Sequence, residues 1–179
     1  FTLQTGETDI AADDVLGSIR FQAPDEGTGT DAILVAAAIE AVSEGDFSSS
    51  NNATKLSFKT GASEAATEKM TLSSAGVLAV TGTVLATTDT DTSNTGNVTL
   101  DFSANQNFVL TLTGNTTLVN PSTEQVGQSG FIACIQDGTG SRTLSLGTDY
   151  ETAGGAGITL TSTASATDLI PYVVVAANR

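Results

Sequence analysis

The residues that could carry out chemistry are few, and the commonest catalytic side chain is missing. The chain has no histidine and one cysteine, Cys134. The lack of histidine excludes Ser-His-Asp and Cys-His catalytic arrangements and the usual zinc sites. Only carboxylate chemistry remains, and spacing along the chain does not pair two carboxylates in space. The sequence therefore predicts no catalytic residue, no bound cofactor and no enzymatic activity.

Two acidic stretches could hold a cation. Asp89-Thr90-Asp91-Thr92-Ser93 has the alternate oxygen ligands of a calcium loop, but it lacks the sixth-position glycine and the closing glutamate. It is interpreted as a solvated linker. Asp25-Glu26-Gly27 with Asp31 could bind a cation between chains, but an acidic turn is the favoured interpretation. No metal site is predicted.

Cys134 and the glycine-rich segment after it have plain structural interpretations. The cysteine lies in an apolar run, Phe131 to Ile135, and no basic neighbour lowers the pKa of its thiol, so we expect a buried, inert thiol. Asp137-Gly138-Thr139-Gly140 could suggest a phosphate cradle. Because no strand-loop-helix with a following lysine surrounds it, turn chemistry explains it better.

Tyr150 is the one candidate for contact with a receptor. It lies in a loop rich in glycine and alanine, and an exposed aromatic ring can stack on a sugar ring. Tyr172 is the only other tyrosine and falls in an apolar segment. Packing in a core or an interface is an equally good interpretation of Tyr150.

The acidic composition limits the classes of partner. The net charge is -14, with 6 basic and 20 acidic residues. This argues against nucleic acid, because phosphate contacts need lysine and arginine, and against adhesion to anionic lipids. A single cysteine allows no disulfide within the chain, and no run of residues is long and apolar enough to predict membrane insertion. The chain begins with Phe1 rather than methionine, which predicts a piece of a longer protein.

The elements that must position these residues are short strands. Thr and Ser make up more than a quarter of the chain, and threonine favours strands. The clearest predicted element is a hairpin, with strands over 131–135 and 142–146 around the turn 137–140. Residues 33–44 fit a helix or a strand, and the strand is favoured. The other strands are predicted at 17–23, 54–60, 69–73, 77–80, 98–102, 108–113, 117–119, 158–161 and 168–176. Pro171 suits an edge strand or the entry to a strand.

This spacing predicts an all-β chain of two domains. We expect an N-terminal β-rich unit over 1–80, a Thr/Asp-rich linker over 81–97 and a β-sandwich-like domain over 98–179. The N-terminal unit has few large apolar residues for its number of strands. Its faces would therefore pack most economically against copies of the same chain.

Two sets of motifs resemble bacteriophage tail fibres and tail spikes. Gly17-Ser18-Ile19-Arg20-Phe21, Lys55-Leu56-Ser57-Phe58-Lys59-Thr60 and the segment from Glu68 to Leu78 resemble, in this order, strands of the fibre shaft. The C-terminal half resembles a second fibre module. It carries the run from Leu112 to Pro121, then GQSG at 127–130, QDGTGSRTL at 136–144 and Tyr172-Val173-Val174.

The resemblance implies an intertwined or side-by-side homotrimeric fibre on the virion, outside the cell. Its expected partners are other virion tail proteins and a glycan or protein receptor on a bacterial surface, bound multivalently. The pattern of a catalytic β-helix is missing, which predicts binding without catalysis. Two alternatives stay open: a passive virion appendage such as a capsid fibre or whisker, and a cellular adhesin or filament subunit.

Overall fold

The computed structural model describes residues 1–24, 29 and 31–179, and it is all-β, as the sequence predicts. The chain divides into two compact units, Phe1–Val84 and Leu85–Arg179. Single-turn 3-10 helices lie at Asp31–Ile33 and Ala153–Gly155. The strands of the described residues are β1 Val15–Gln22, β2 Val35–Ser43, β3 Thr54–Thr60, β4 Thr67–Leu72, β5 Leu78–Val80, β6 Thr88–Val98, β7 Asn107–Leu118, β8 Ser129–Gln136, β9 Leu144–Leu146 and β10 Thr167–Val173.

The N-terminal unit is an antiparallel meander. Its five strands pair in chain order, β1 to β5. The ambiguous segment at 33–44 forms β2, so the strand prediction is confirmed there. Because neighbouring strands are antiparallel and pair in sequence order, no crossover connection is needed between them.

One face of this sheet is apolar from edge to edge. One row of paired residues crosses all five strands: Ile19, Ile39, Phe58, Met70 and Val80. Six large side chains of this face are each at least 40% exposed: Ile19, Phe21, Leu56, Leu72, Leu78 and Val80. This set of residues is called the apolar face below. A solvent-facing sheet surface normally carries polar residues, so this one departs from the usual pattern.

The opposite face is polar and ion-paired. Glu40 is 5% exposed at its centre, and it forms ion pairs with Arg20 at 3.6 Å and with Lys59. Lys55 and Glu68 form a further pair at 3.1 Å. The two faces of the unit are therefore chemically opposite.

The linker prediction is wrong for most of 81–97. Residues 88–98 form β6, which pairs with β7 in parallel at one edge of the C-terminal sheet. The segment lacks an apolar pattern because an edge strand needs only one backbone partner. The Asn94 side chain, 1% exposed, strengthens this pairing by donating to the carbonyl oxygen of Thr111 at 3.1 Å.

The C-terminal unit contains one mixed sheet in the order β10-β8-β7-β6. β7 is its central strand and runs without a break through Gly114-Asn115, so the strands predicted separately at 108–113 and 117–119 are one strand. β6 and β8 lie parallel to it on either side, and β10 pairs antiparallel with β8 at the far edge. Pro171 thus lies in an edge strand, as expected.

A hydrophobic core covers one face of this sheet. Phe108, Leu110, Leu112 and Leu118 alternate along β7 and are fully buried. Other buried apolar residues pack with them: Leu100, Phe102, Ile132, Cys134, Leu144 and Val174. Leu100 and Phe102 come from the connection between β6 and β7, so irregular segments rather than a second sheet cover the core.

The prediction of a β-sandwich is therefore wrong for the described residues of this unit. The predicted strands at 98–102 and 158–161 are irregular beyond Val98, the last residue of β6. Asp101 accepts the Ser103 N–H at 3.0 Å, which turns the chain instead of extending it. Asp168 holds Thr161 through its backbone N–H and its hydroxyl, both at 2.9 Å.

The predicted hairpin at 131–146 is also wrong. β8 and β9 both run parallel to β7 and pair with the same edge of it, one after the other. Between them, residues 137–143 leave the sheet and return without reversing direction. The Asp137 carboxylate accepts the N–H groups of Thr139 and Gly140 and pairs with Arg142 at 2.8 Å.

Gln136 links the start of the loop 137–143 to its end. It is 2% exposed, and its side-chain amide makes two hydrogen bonds with the backbone of Arg142, at 2.8 and 2.9 Å. The QDGTGSR motif thus encodes a self-bonded loop that keeps β8 and β9 in line. Within the described ranges, no helix is long and apolar enough to span a membrane.

Candidate functional site

Tyr150 lies in the loop after β9 and packs its ring against the core of the C-terminal unit. It is half-buried, and its N–H donates to the Gly147 carbonyl oxygen at 3.2 Å. Its hydroxyl is buried and has no hydrogen-bond partner among the described residues. Tyr150, the candidate predicted from the sequence, therefore packs through its ring, and its hydroxyl has no hydrogen-bond partner among the described residues.

A cavity of about 560 Å³ lies beside this ring, and it is called the Tyr150 cavity below. Side chains from the core, the long loop after β9 and the last strand line it. Its main apolar lining residues are Phe102, Ile132, Leu146, Tyr150, Ile158 and Tyr172. Its charged lining residues are Glu124, Asp149, Glu151 and Arg179. The cavity thus combines a hydrophobic wall with a small number of charged groups.

Asn120 positions the Asp149-Tyr150 pair. Its side-chain N–H donates to the carboxylate of Asp149 and to the hydroxyl of Thr148, both at 2.8 Å. Its side-chain oxygen accepts the Asp149 N–H at 3.1 Å. A Cβ at Gly147 would clash with Asn120, so the glycine lets the two segments approach closely.

Tyr172 forms a fixed part of the opposite wall. Its hydroxyl donates to the Gln106 carbonyl oxygen at 2.7 Å. Its ring packs edge-to-face on Phe102, with centroids 5.2 Å apart, and Phe102 packs on Phe108 at 5.0 Å. Such aromatic pairs add specific geometry to the buried area.

The cavity is electrostatically negative around Tyr150. Burial raises the pKa of the Tyr150 hydroxyl, and the charges of Glu124 and Asp149 raise that pKa further, so the phenol stays neutral. The Glu124 Oε1 atom is buried and also lacks a hydrogen-bond partner in the part of the chain described. Arg179, the one cation of the lining, pairs with Glu151 at 2.8 Å.

A glycine-rich loop closes one side of the cavity. Thr152 accepts the Gly157 N–H at 2.9 Å through its hydroxyl. Gly154, Gly155 and Gly157 have φ angles of 67°, 66° and 72°, in the left-handed region that glycine tolerates. The Gly-Ala composition that drew attention to Tyr150 therefore gives the loop its tight path.

Cys134 is confirmed as a buried thiol. It is 1% exposed in the core, and burial, with a contribution from Asp168, raises its pKa to about 11. A thiol of that pKa carries almost no thiolate near neutral pH, so nucleophilic chemistry at Cys134 is disfavoured.

The acidic motif at 89–93, which lies within the described residues, does not form a cation site. Asp89 and Asp91 lie on β6, where the Asp91 carboxylate accepts the Ser93 N–H at 3.1 Å. Asp25, Glu26 and Gly27 lie outside the described residues. Within residues 1–24, 29 and 31–179, no group of three metal-ligating side chains converges.

Sequence reasoning found Tyr150 but missed Glu124, Asp149 and Asn120. A signal exists for Asn120, because Asn120-Pro121 closes the fibre-like motif that runs from Leu112 to Pro121. Nothing in the sequence places Glu124 beside Tyr150, since 25 positions and two strands separate them.

Residues 87–175 match the family model described as "Putative phage tail fibre C-terminal domain". This range includes β6 to β10 and nearly all of the Tyr150 cavity. No curated protein and no solved structure gives a significant match to the chain. The resemblance to tail fibres is therefore confirmed for the C-terminal unit, while the shaft-type resemblance of the N-terminal unit stays a prediction.

Proposed function

We propose that the chain is a structural tail fibre protein that attaches a virion to a bacterial surface. The proposal rests on the match of residues 87–175 to the phage tail fibre C-terminal domain family. The chain assembles as a homotrimer and binds its receptor without catalysis. The observation that supports this proposed assembly is the exposed apolar face of the N-terminal unit.

That face needs a covering layer. Six large apolar side chains on it are at least 40% exposed, and burying apolar surface yields about 25 cal/mol for each Å². Exposed apolar patches of this continuity mark interaction sites. The reverse face is already covered within the unit, because Ala38, Glu40, Val42 and Ser57 are each at most 6% exposed, so the apolar face is the one left to be buried.

Copies of the same chain supply that cover by symmetry. Three sheets arranged about an axis would turn their apolar faces inward and their charged faces to water. The number three comes from the resemblance to tail fibres, because two copies stacked face to face would also cover the surface. Solution mass separates these arrangements.

Assembly makes attachment multivalent. A trimer presents the same receptor site three times, and linked sites gain avidity of about 10² to 10⁴ through effective concentration. Weak single contacts then suffice for stable attachment. The acidic surface gives no reason to expect binding to nucleic acid or anionic lipid.

The assembly is tested by light scattering down a dilution series. One chain is 18.0 kDa, and we expect a mass three times larger that persists on dilution. Phe58→Asp places a charge in the centre of the apolar face and should give monomers. Val126→Asp is the matched control, because Val126 is 66% exposed in a loop of the other unit. A stable wild-type monomer would overturn the trimer, and open polymers would favour a filament subunit.

Attachment is tested by flow cytometry of the fluorescently labelled chain on a panel of bacterial strains. We expect binding to a subset of strains, weaker for Phe58→Asp because avidity is lost, and without release of sugar products. Absence of binding across strains whose surface polysaccharides differ would favour a passive appendage instead.

A further inference from the structure

The C-terminal sheet has a second face, opposite its hydrophobic core. Residues alternate between the two faces along β7, β8 and β10, and Phe108, Ile132 and Tyr172 lie on the core side. The residues between them form the other side, which is called the outer face below. Its apolar residues are Val109, Phe131, Ala133, Ile135, Leu169, Pro171 and Val173. We propose that the outer face packs against the outer faces of neighbouring copies of this chain. The inference rests on the proposed assembly and assigns it a second contact.

The outer face is continuous across three strands and partly exposed. Leu169 pairs with Ala133, and Ala133 pairs with Val109, so one apolar row crosses β10, β8 and β7. Leu169 and Val173 are 65% and 59% exposed, and Pro171 between them is also exposed. A sheet face in water normally carries polar residues, and a continuous apolar one marks an interaction site.

The charge pattern of the sheet indicates a second copy as the partner. The chain has 20 acidic and 6 basic residues, so two copies repel each other wherever their acidic surfaces meet. The charged residues of the five strands of this sheet are Asp89, Asp91 and Asp168, and each pairs with a residue of the core side. The outer face is therefore uncharged, and copies can meet there without bringing like charges together.

The connection between the two units favours this contact once the chains assemble. The six residues of the apolar face are uncharged as well, so both proposed contacts avoid the same repulsion. The connection from β5 to β6 is residues 81–87, and seven residues span at most about 25 Å. Copies that associate through the apolar face therefore keep their C-terminal units on short tethers.

The outer face by itself is too small to hold free chains together. A stable interface involves about 20 to 30 residues from each partner, far more than this face offers. A short tether supplies an effective concentration of about millimolar, which lets a small contact form. Phe58→Asp should therefore still give monomers, and the outer contact should form only in assembled chains.

Cross-linking of the whole 179-residue chain tests the contact directly. The native cysteine, Cys134, is 1% exposed, so a thiol introduced on the surface is the one that a short bismaleimide reaches. Leu169→Cys should give covalent dimers on a denaturing gel. Ala164→Cys, in an exposed turn before β10, is the matched control and should not. Leu169→Cys combined with Phe58→Asp should lose the cross-link, because the tether is lost.

Charge on the outer face tests its contribution to assembly. Leu169→Asp brings like charges together in the trimer, which costs several kcal/mol. The concentration at which the assembled mass falls by half should therefore rise at least about tenfold. Ala164→Asp adds the same charge away from the face and should leave that concentration unchanged. Val173→Asp repeats the test at the other end of the face, and circular dichroism checks that each variant is folded.

The outcomes separate this contact from the assembly itself. A wild-type trimer in which Leu169→Cys gives no cross-link, and Leu169→Asp no loss of mass, would overturn the outer contact and leave the trimer intact. Cross-linking of Leu169→Cys only to a second variant, Leu72→Cys, would show that the apolar face of another copy is the occupant and would overturn the pairing of like faces. A wild-type monomer would overturn the proposed trimer and this contact together.

Discussion

Phe58 and Phe108 are the same residue type on strands of the same alternating pattern, but their surroundings differ. Phe108 is completely buried in the C-terminal unit, under Phe102 and Tyr172. Phe58 is only partly buried on the apolar face of the N-terminal unit, in a row that ends at two exposed residues. The C-terminal unit has a closed hydrophobic core, whereas the N-terminal unit exposes an apolar sheet face.

The difference comes from the connections between strands. In the C-terminal unit, parallel pairing of β6 with β7 and of β7 with β8 requires each connection to run back along the sheet, and residues 99–106 thereby bring Leu100 and Phe102 over it. In the N-terminal meander, antiparallel neighbours pair in chain order, so the connections need not cross a face of the sheet. The large apolar side chains of one face stay exposed, so that face depends on another layer.

The largest expected effect comes from truncating the two phenylalanines in parallel. Phe108→Ala should lower the free energy of unfolding by about 3 to 5 kcal/mol at any protein concentration, because it leaves a cavity in a closed core. Phe58→Ala should cost less than half of that in dilute, dissociated chains, and more once the chains assemble. Urea unfolding at two concentrations measures both.

An equal, concentration-independent loss for both variants would contradict this contrast. It would mean that another segment of the same chain covers Phe58. The tail fibre assignment of residues 87–175 would be unaffected, but the proposed interface would be lost.

A second comparison removes one acid from an ion pair in each unit. Glu40→Ala should lower the free energy of unfolding by about 1 to 2 kcal/mol, because it leaves the partly buried Lys59 and the more exposed Arg20 unpaired. Glu151→Ala should change it by close to zero, since both partners of that pair are more than half exposed. Thermal unfolding of the two variants checks the difference, and equal losses would contradict it.

The smallest expected effect is a pH dependence of the loop after β8. The hydrogen bonds of Asp137 to Arg142, and then to the Gly140 N–H, hold the pKa of its carboxyl below the ordinary value of 3.8. A lowered folded-state pKa adds stability above the ordinary value, and that stability is lost as the pH falls through the lower one.

Asp137→Asn should therefore lower the urea midpoint slightly at about pH 5, and the difference from wild type should vanish toward about pH 2. The Glu7→Gln variant serves as the control, because that exposed carboxyl lies outside the loop. A difference that stayed constant down to the lowest pH would show that the carboxylate charge of Asp137 does not stabilise the loop.

Strand positions follow from sequence wherever one face is buried and the other is not. The alternation at 54–60 gives β3 with its observed bounds, and Pro171 marks an edge strand. β6 is not predicted by this reasoning, because its Thr, Asp and Asn side chains carry no apolar alternation and it is held by backbone pairing with β7 and by the Asn94 side chain. The sequence wrongly predicts a hairpin turn at 137–140, since Asp-Gly-Thr-Gly suits a loop that leaves the sheet and returns in the same direction as well as it suits a turn that reverses the chain.

The sequence by itself determines that this chain is an acidic, all-β protein without histidine chemistry and that residues 87–175 match a tail fibre C-terminal domain family. It also singles out Tyr150, because aromatic residues are so few. Only the tertiary structure decides that Glu124, Asp149 and Asn120 gather around that tyrosine, and that one sheet keeps an open apolar face. The physical reason is that composition and alternation are local properties, whereas a cavity depends on where long connections return, and a sheet face is covered or open according to what packs over it.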